Sequence, residues 1–370
     1  MKDIYIIFSF ISLVFIIGCN TEIDNQNNDV EKMKLFGNVK SIKIIVYQIF
    51  EKDGNVNNQP IKEDYLSNTL TSFNKQGYEV EKIKYNLDGS FDERKVYKYD
   101  NKRNRIEYLI YNSEGNIIYK STDKYDLKGN KIEQKNYGDK GELFSRETIK
   151  YNVNGNKIER KLFNEKGENN YIDLFVYNDI GDKIERNIYQ RNSKGEFYLD
   201  VKYSFDYNEK GNMVESNFFK LEGKLKHKQT KKFDINGNMI ENISYNSNGR
   251  IERRVVYNFD KNGNRIERLE YNFDSILRER NVYKYDIKGN EIEESVYQSD
   301  GVLYHKKNYK YYKNGSMIEF ISQTPTIKGI PKQIDSWEFE YDKNRNWIKR
   351  IDYRNGIPQS TTVRTIEYYE

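Results

Sequence analysis

Residues 125–133 read Tyr-Asp-Leu-Lys-Gly-Asn-Lys-Ile-Glu, and this phrase decides the fold because the chain keeps returning to it. It recurs as YDNKRNRIE at Tyr99, YNVNGNKIE at Tyr151, YNDIGDKIE at Tyr177, FDINGNMIE at Phe233, YDIKGNEIE at Tyr285 and YDKNRNWIK at Tyr341, among others. An abbreviated first copy, FGNVKSIK, starts at Phe36. The spacing is 26 residues from Gly77 through Arg103, Gly129 and Gly155 to Gly181, with two steps of 30, to Gly211 and to Arg345. A fixed period of this size is the mark of a repeat architecture. A second, looser phrase, an aromatic followed three residues later by the residue before Gly, falls midway, as in YNSEG at Tyr111 and YQSDG at Tyr297. Two turns per period predict a strand and a turn every 13 residues or so. Asp or Asn three residues before Gly suits a type I turn closed by a left-handed residue, since the Asx side chain caps the turn and glycine accepts φ > 0. The strands between turns are then about 9 residues, or about 30 Å, long.

Composition agrees. The 370 residues contain no alanine but 33 tyrosines, which disfavours helix and favours strand. Hydrophobic residues at 36% and a mean hydropathy of -0.97 are too polar for one large core, and 15% aromatic content is too rich for a disordered chain. The expected fold is all-β: a repetitive antiparallel β-meander of about 12 two-strand, 26-residue repeats over 35–370. If Asp100 pairs with Asn104, simple alternation places Tyr97 opposite Glu107 and Lys98 opposite Ile106. Both faces would then be half apolar and half charged, which suits an elongated twisted single sheet or an open β-spiral.

The phrase YDxxGN resembles the YD repeats of Rhs proteins, whose strands wind into a spiral shell around a toxin. The resemblance runs from Tyr65 onward and implies architecture. This chain departs from the family in its longer period, in the Ile-Glu pair after the turn, and in ending within the repeat pattern at Glu370 with no cargo domain.

The first residues carry an address. Ile4 to Ile17 is an apolar run of signal-peptide length, too short to span a bilayer comfortably. It ends in Ile16-Ile17-Gly18-Cys19, which resembles the lipobox of bacterial lipoproteins and implies cleavage after residue 18 and a lipid on Cys19. Residues 1–18 read as signal peptide, and 19–34 as lipidated Cys19 and flexible tether. Cys19 is the only cysteine, so no disulfide framework is available. The expected location is the bacterial envelope, at the outer membrane, held by the lipid.

Chemistry is sparse. His227 and His305 lie among lysines without metal-ligand companions. A column of ten glutamates, Glu81 to Glu319, repeats at every step and reads as a structural ladder paired with Lys and Arg rather than a catalytic pair. Turn aspartates such as Asp100 and Asp126 are exchanged for Asn152, Asn178 and Asn208, which an Asx turn tolerates and a calcium site would not. The net charge of +5 is spread with both signs interleaved, so no nucleic-acid partner is expected. No enzyme, metal or cofactor is expected. Three excursions, Glu51–Asp64, Gln190–Tyr198 and Ser322–Asp335, interrupt the looser turn and would project from one edge, aligned if five repeats make one superhelical turn. Trp337, Trp347, Pro325 and Pro331 are the candidate binding residues there, for a glycan or an envelope protein. The expected role is a non-catalytic binding or structural scaffold; the alternative is an Rhs-like shell or effector-associated protein.

Overall fold

The computed structural model describes residues 28–52, 55–60, 68–220, 223–311, 317–324 and 333–370. Cys19, Pro325 and Pro331 lie outside the described residues. Within them are one short helix, α1 (Asp29–Lys32), and 25 strands in a single antiparallel sheet. Each hairpin is built by its own sequence. Asp100 N–H donates to the Asn104 carbonyl (2.9 Å) and Arg103 N–H to the Asp100 carbonyl (3.0 Å). The Asp100 carboxylate accepts the N–H groups of Lys102 and Asn104 and the Asn104 side-chain amide. The left-handed position has φ near +80° and is glycine in most repeats; Arg103 holds it at +72°.

The sheet closes on itself. Strand β1 (Val39–Lys52) pairs along one side with β25 (Ile357–Tyr368) and along the other with β3 (Thr69–Phe73). Strand β2 (Asn55–Pro60) adds a hairpin to the far end of β1, so 24 of the 25 strands form the ring. The open sheet or spiral expected from sequence is therefore corrected to a closed β-barrel. The seam explains the closure. FGNVKSIK has a turn and the strand after it but no strand before it, and β25 supplies the missing strand. Asn346 accepts the Phe36 N–H (2.8 Å) and donates to the Phe36 carbonyl (2.8 Å) and the Tyr368 hydroxyl (2.8 Å). Beneath this seam Val30, Leu35, Val39, Ile42, Ile44 and Phe73 form a compact apolar cluster, with Ile42 fully buried. Helix α1, capped reciprocally by Asn28 and Glu31, contributes Val30 to it.

Alternation along the strands is not simple. Tyr99 pairs with Arg105, but Lys98 pairs with Glu107 and Tyr97 with Tyr108, leaving Ile106 unpaired as a β-bulge. The same slip follows nearly every turn. This corrects the expected pairing of Tyr97 with Glu107, and it moves the Tyr97 and Glu107 columns to opposite faces. Where the next repeat begins with tyrosine, the carbonyl just before the bulge is taken up by it: Tyr125 donates its hydroxyl to Arg105 O, Tyr151 to Lys131 O, and Tyr177 to Lys157 O, all at 2.8–3.0 Å. This accounts for the tyrosine in the phrase.

The paired residues also fix the tilt. The walk from Glu81 to Val96, Leu109, Lys120 and Tyr137 begins four residues past Gly77 and ends eight past Gly129, gaining one residue per strand. Around 24 strands the shear is thus about 24 residues, giving a tilt of about 35° and a backbone diameter of about 45 Å. Inward side chains leave a lumen on the order of 30 Å across. One rim, here the upper, carries the turns of the main phrase (Gly77, Gly129, Gly155 and their equivalents); the lower carries those of the looser phrase (Gly89, Gly115, Gly141).

Candidate functional site: the inner wall of the barrel

The two faces of the wall differ in crowding. On one, Asp123, Ile149, Asp173, Phe205, Val255 and Tyr283 are buried, and burial raises the phenol pKa of Tyr97 and Tyr99 and the carboxyl pKa of Glu79 and Asp123. On the other, hydrogen bonds from lysine hold Glu107, Glu185 and Glu215 below the usual carboxylate range, through Lys98, Lys202 and Lys228 in turn. Side chains converge inside a cylinder and diverge outside it, so the crowded face is the lumen wall.

The outer face repeats. Glu107 meets Lys98 (2.6 Å) and Lys120 (2.9 Å), Glu159 meets Lys150 (2.9 Å) and Lys161 (3.0 Å), and Glu293 meets Lys284 (3.0 Å) and Lys306 (2.9 Å). The glutamate column is an ion-pair ladder. The turn aspartates are similarly committed: the Asn side-chain amide four residues on, with backbone N–H groups, lowers the pKa of Asp126, Asp234, Asp260 and Asp286.

On the inner face the tyrosine of the phrase repeats, as Tyr99, Tyr125, Tyr151 and Tyr177, but the residue two before it and that residue's partner do not. The residue after Ile-Glu in the phrase points inward, directly opposite a residue of the preceding strand. The pairs are Tyr97 with Tyr108, Asp123 with Gln134, Ile149 with Arg160, Phe175 with Arg186, Phe205 with Ser216 and Lys231 with Asn242. They continue as Tyr257 with Arg268, Tyr283 with Glu294, Tyr309 with Phe320 and Phe339 with Arg350. These ten pairs form a belt of changing chemistry, whereas outside the glutamate is kept from Glu81 to Glu319, with lysine opposite at six steps and Ser72, Val176, Asp206 or Asn258 at the other four.

Two aromatic tracks stand out in the belt. Tyr97 stacks on Tyr108 (5.0 Å between centroids, 10° between planes), and Tyr119 lies edge-on to Tyr108 at 5.8 Å. Across the barrel wall, Tyr309, Phe320 and Trp337 follow one another at 5.1 and 4.4 Å. Between the tracks are charges. Asp173, 1% exposed, accepts a bidentate fork from Arg186 at 2.9 and 2.8 Å. The Arg186 guanidinium also lies over the rings of Phe175 and Tyr203. Asp123 is flanked by Lys131 at 3.6 Å and Arg105 at 3.9 Å.

Of the candidate residues, Trp337 joins an inner track, and Trp347, on the same face, is covered by the Arg364 guanidinium and flanked by Phe339. Burial and the neighbouring Arg350 lower the Arg364 pKa to about 10. His305 shares a hydrogen bond with Ser322 (3.2 Å), and His227 approaches Glu252 (3.7 Å). Among the described residues no three His, Cys, Asp or Glu side chains gather to hold a metal. Of the excursions, Glu51–Asp64 and Ser322–Asp335 lie largely outside the described residues, and Gln190–Tyr198 is a lengthened hairpin on the lower rim with the ordinary turn rather than a loop. Barrel closure also changes the expected alignment: of twelve lower-rim positions the first and eleventh come within two steps of each other through the seam, while the sixth is five steps from each. Tyr108, Phe320 and their equivalents were not singled out from sequence. Their signal is the one position that varies after an otherwise constant Ile-Glu.

A family model described as "Uncharacterised protein" matches residues 276–368. No curated protein matches the sequence. Among solved structures the chain is similar to the TcdB2-TccC3 complex, at 11% identity and a TM-score of 0.33, covering 80% of this chain and 20% of that one. It is similar to the Photorhabdus luminescens Tc holotoxin pore at 11% identity and a TM-score of 0.31, covering 80% and 19%. A porin-like protein from Bacteroides uniformis is similar at 12% identity and a TM-score of 0.27, covering 90% and 99%. The chain spans about a fifth of the length of those toxin chains. No helix among the described residues is long and apolar enough to cross a membrane.

Proposed function

We propose that this protein is a non-catalytic binding scaffold of the bacterial envelope, held to a membrane by a lipid on Cys19, whose ligand lies along the inner wall. The supporting observation is the contrast between the repeated outer ladder and the inner belt of unlike pairs. A position that every repeat shares serves the repeat, whereas one that differs at each step serves something outside it. Tracks of stacked rings beside buried Arg-carboxylate pairs suit an extended glycan, whose sugar faces pack on aromatics while its hydroxyls meet charged groups. A protein segment is the other ligand of this reading.

Both tryptophans face the lumen, so their emission is a native reporter. Titration of the full chain with envelope oligosaccharides is expected to give a saturable change in emission, weakened at least tenfold by Tyr108→Ala with Phe320→Ala and unchanged by Glu107→Gln outside. Equal loss from inner and outer variants, or no response to any glycan or peptide, would sink the reading. Closure of the ring favours a second reading, a shell that encloses a folded guest. A guest retained through gel filtration and released only on unfolding would favour that reading.

A further inference from the structure

The upper rim carries side chains that its turns do not need. Leu127, Val153, Ile180, Ile235 and Ile287 sit at hairpin tips and are 93%, 86%, 82%, 82% and 104% exposed. Other turns of the same hydrogen-bonding pattern place Asn101 or Lys261 where Leu127, Val153, Ile235 and Ile287 stand, and Lys102 or Asn262 where Ile180 stands, so turn chemistry does not select an aliphatic residue. Three of the five tips occupy successive hairpins, about 10 Å apart. Apolar residues clustered on an edge mark a contact surface.

Charge distinguishes the two rims. The outer three positions of the upper turns carry Lys75, Lys102, Arg103, Lys128 and Arg345 among their basic residues, and Asp179 and Glu209 as acids. The capping aspartates keep their charge just below the tips, held by N–H donors, so the basic excess is confined to the outermost positions of this rim. The lower rim also exposes Leu87, Phe273 and Ile357, and at its tips Asp88, Glu114, Asp139, Glu165, Asp274 and Asp300 outnumber Lys140, Lys166 and Lys194. An anionic lipid surface would repel the lower rim and accept the upper.

The chain enters the barrel at this same rim. Val30 N–H donates to the Gly77 carbonyl (3.1 Å), and Glu79 N–H donates to Asp29 (2.8 Å), so residue 28 lies beside an upper turn. Only the residues from 20 to 27 separate that point from Cys19. Even fully extended, a segment of that length spans at most about 30 Å, less than the barrel's width of about 45 Å.

We infer that the upper rim is a membrane-facing surface, its aliphatic tips entering the interfacial layer of an anionic bilayer while the lower rim faces away. Shallow apolar insertion combined with basic side chains is how a peripheral surface seats on anionic lipid. The inference rests on the lipid-anchor reading for the position of the tether, and its test separates the two.

Cys19 is the only native thiol, so a label can be placed at either rim of the full chain. Ile287→Cys reports the upper rim and Ser299→Cys the lower, each with an environment-sensitive fluorophore, and the unsubstituted chain supplies the background from Cys19. The protein is reconstituted in phosphatidylethanolamine–phosphatidylglycerol vesicles carrying spin-labelled lipids. Quenching roughly threefold or more stronger at 287 than at 299, and weakened when phosphatidylglycerol is replaced by phosphatidylcholine, is the expected result. Equal quenching at both rims, or none at 287, overturns the inference. So does shielding of the 287 label that depends on protein concentration without vesicles, which would assign the rim to a second copy. The mass of the Cys19 peptide from cell membranes reports the anchor separately: an unmodified Cys19 with quenching retained at 287 removes the anchor and leaves the rim.

Discussion

The inner and outer faces of this wall are made by neighbouring residues of the same short phrase, yet they follow different rules. Outside, the glutamate recurs and lysine usually faces it, as in Lys98 with Glu107, Lys124 with Glu133 and Lys150 with Glu159, though Val176 faces Glu185 and Asp206 faces Glu215. Inside, one residue away along each strand, Tyr97 faces Tyr108, Asp123 faces Gln134 and Ile149 faces Arg160. The difference lies in what each side can bury. The outer pairs stay in contact with water, where an ion pair adds at most about 1 kcal/mol. The inner residues converge, so their packing and pairing carry more energy and more identity.

The largest break in that comparison is expected at the seam. Ile42→Ala, inside, should cost about 3–4 kcal/mol, whereas Ile45→Ala, half-buried outside on the same strand, should cost about 1–2. Urea midpoints measure both, and protease cutting near β25 should accelerate for Ile42→Ala alone. Equal effects would mean that the closure does not depend on the inner cluster.

Next in size is the charge comparison. Asp173→Asn removes the carboxylate from a buried fork and should cost about 2–3 kcal/mol, below the usual range for a broken buried pair because Arg186 keeps access to solvent. Glu107→Gln should cost less than about 1 kcal/mol. A larger loss from Glu107→Gln would invert the assignment of faces.

Much of the fold was legible because turn chemistry is local. Asp100, Arg103 and Asn104 make the expected turn, the strand count follows from the period, and the glutamate ladder pairs with Lys and Arg as read. The faces were not legible, because nothing in Arg-Ile-Glu announces that Ile106 is bulged. That single slip exchanges the side of every residue between it and the next turn. Closure was hidden too, since pairing β1 with β25 depends on a shear of one residue per strand, a property of the whole ring. The inner belt was hidden for the first reason: Tyr108 reads as an ordinary strand tyrosine until its face is known.

A smaller effect probes the link between repeats. Tyr125→Phe deletes the hydroxyl that meets the bulge carbonyl of Arg105 and should cost about 1 kcal/mol. Phe233 and Phe259 occupy the equivalent position naturally, in repeats whose preceding bulge follows Met213 and Met239. Phe233→Tyr should therefore gain less than Tyr125→Phe loses; an equal gain would show that the carbonyl alone decides the residue.

The smallest expected effects are those of pH, and the two faces should answer with opposite signs. Glu107 has its pKa lowered in the folded state, chiefly by the Lys98 hydrogen bond, so the stability it contributes is present above the ordinary value of 4.5 and is lost as pH falls through its folded value. Glu79 has its pKa raised by burial, so its ionised form is a liability that appears as pH rises above 4.5 and is complete once pH exceeds its raised folded value. At pH 7, Glu107→Gln should lower the urea midpoint and Glu79→Gln should raise it, each by less than about 1 kcal/mol, and both differences should vanish near pH 3. High salt should shrink the Glu107 effect more, because the outer charges are reached by counterions and the inner one is shielded by the wall. If both variants moved the midpoint in the same direction at pH 7, the inside would not be the desolvated side.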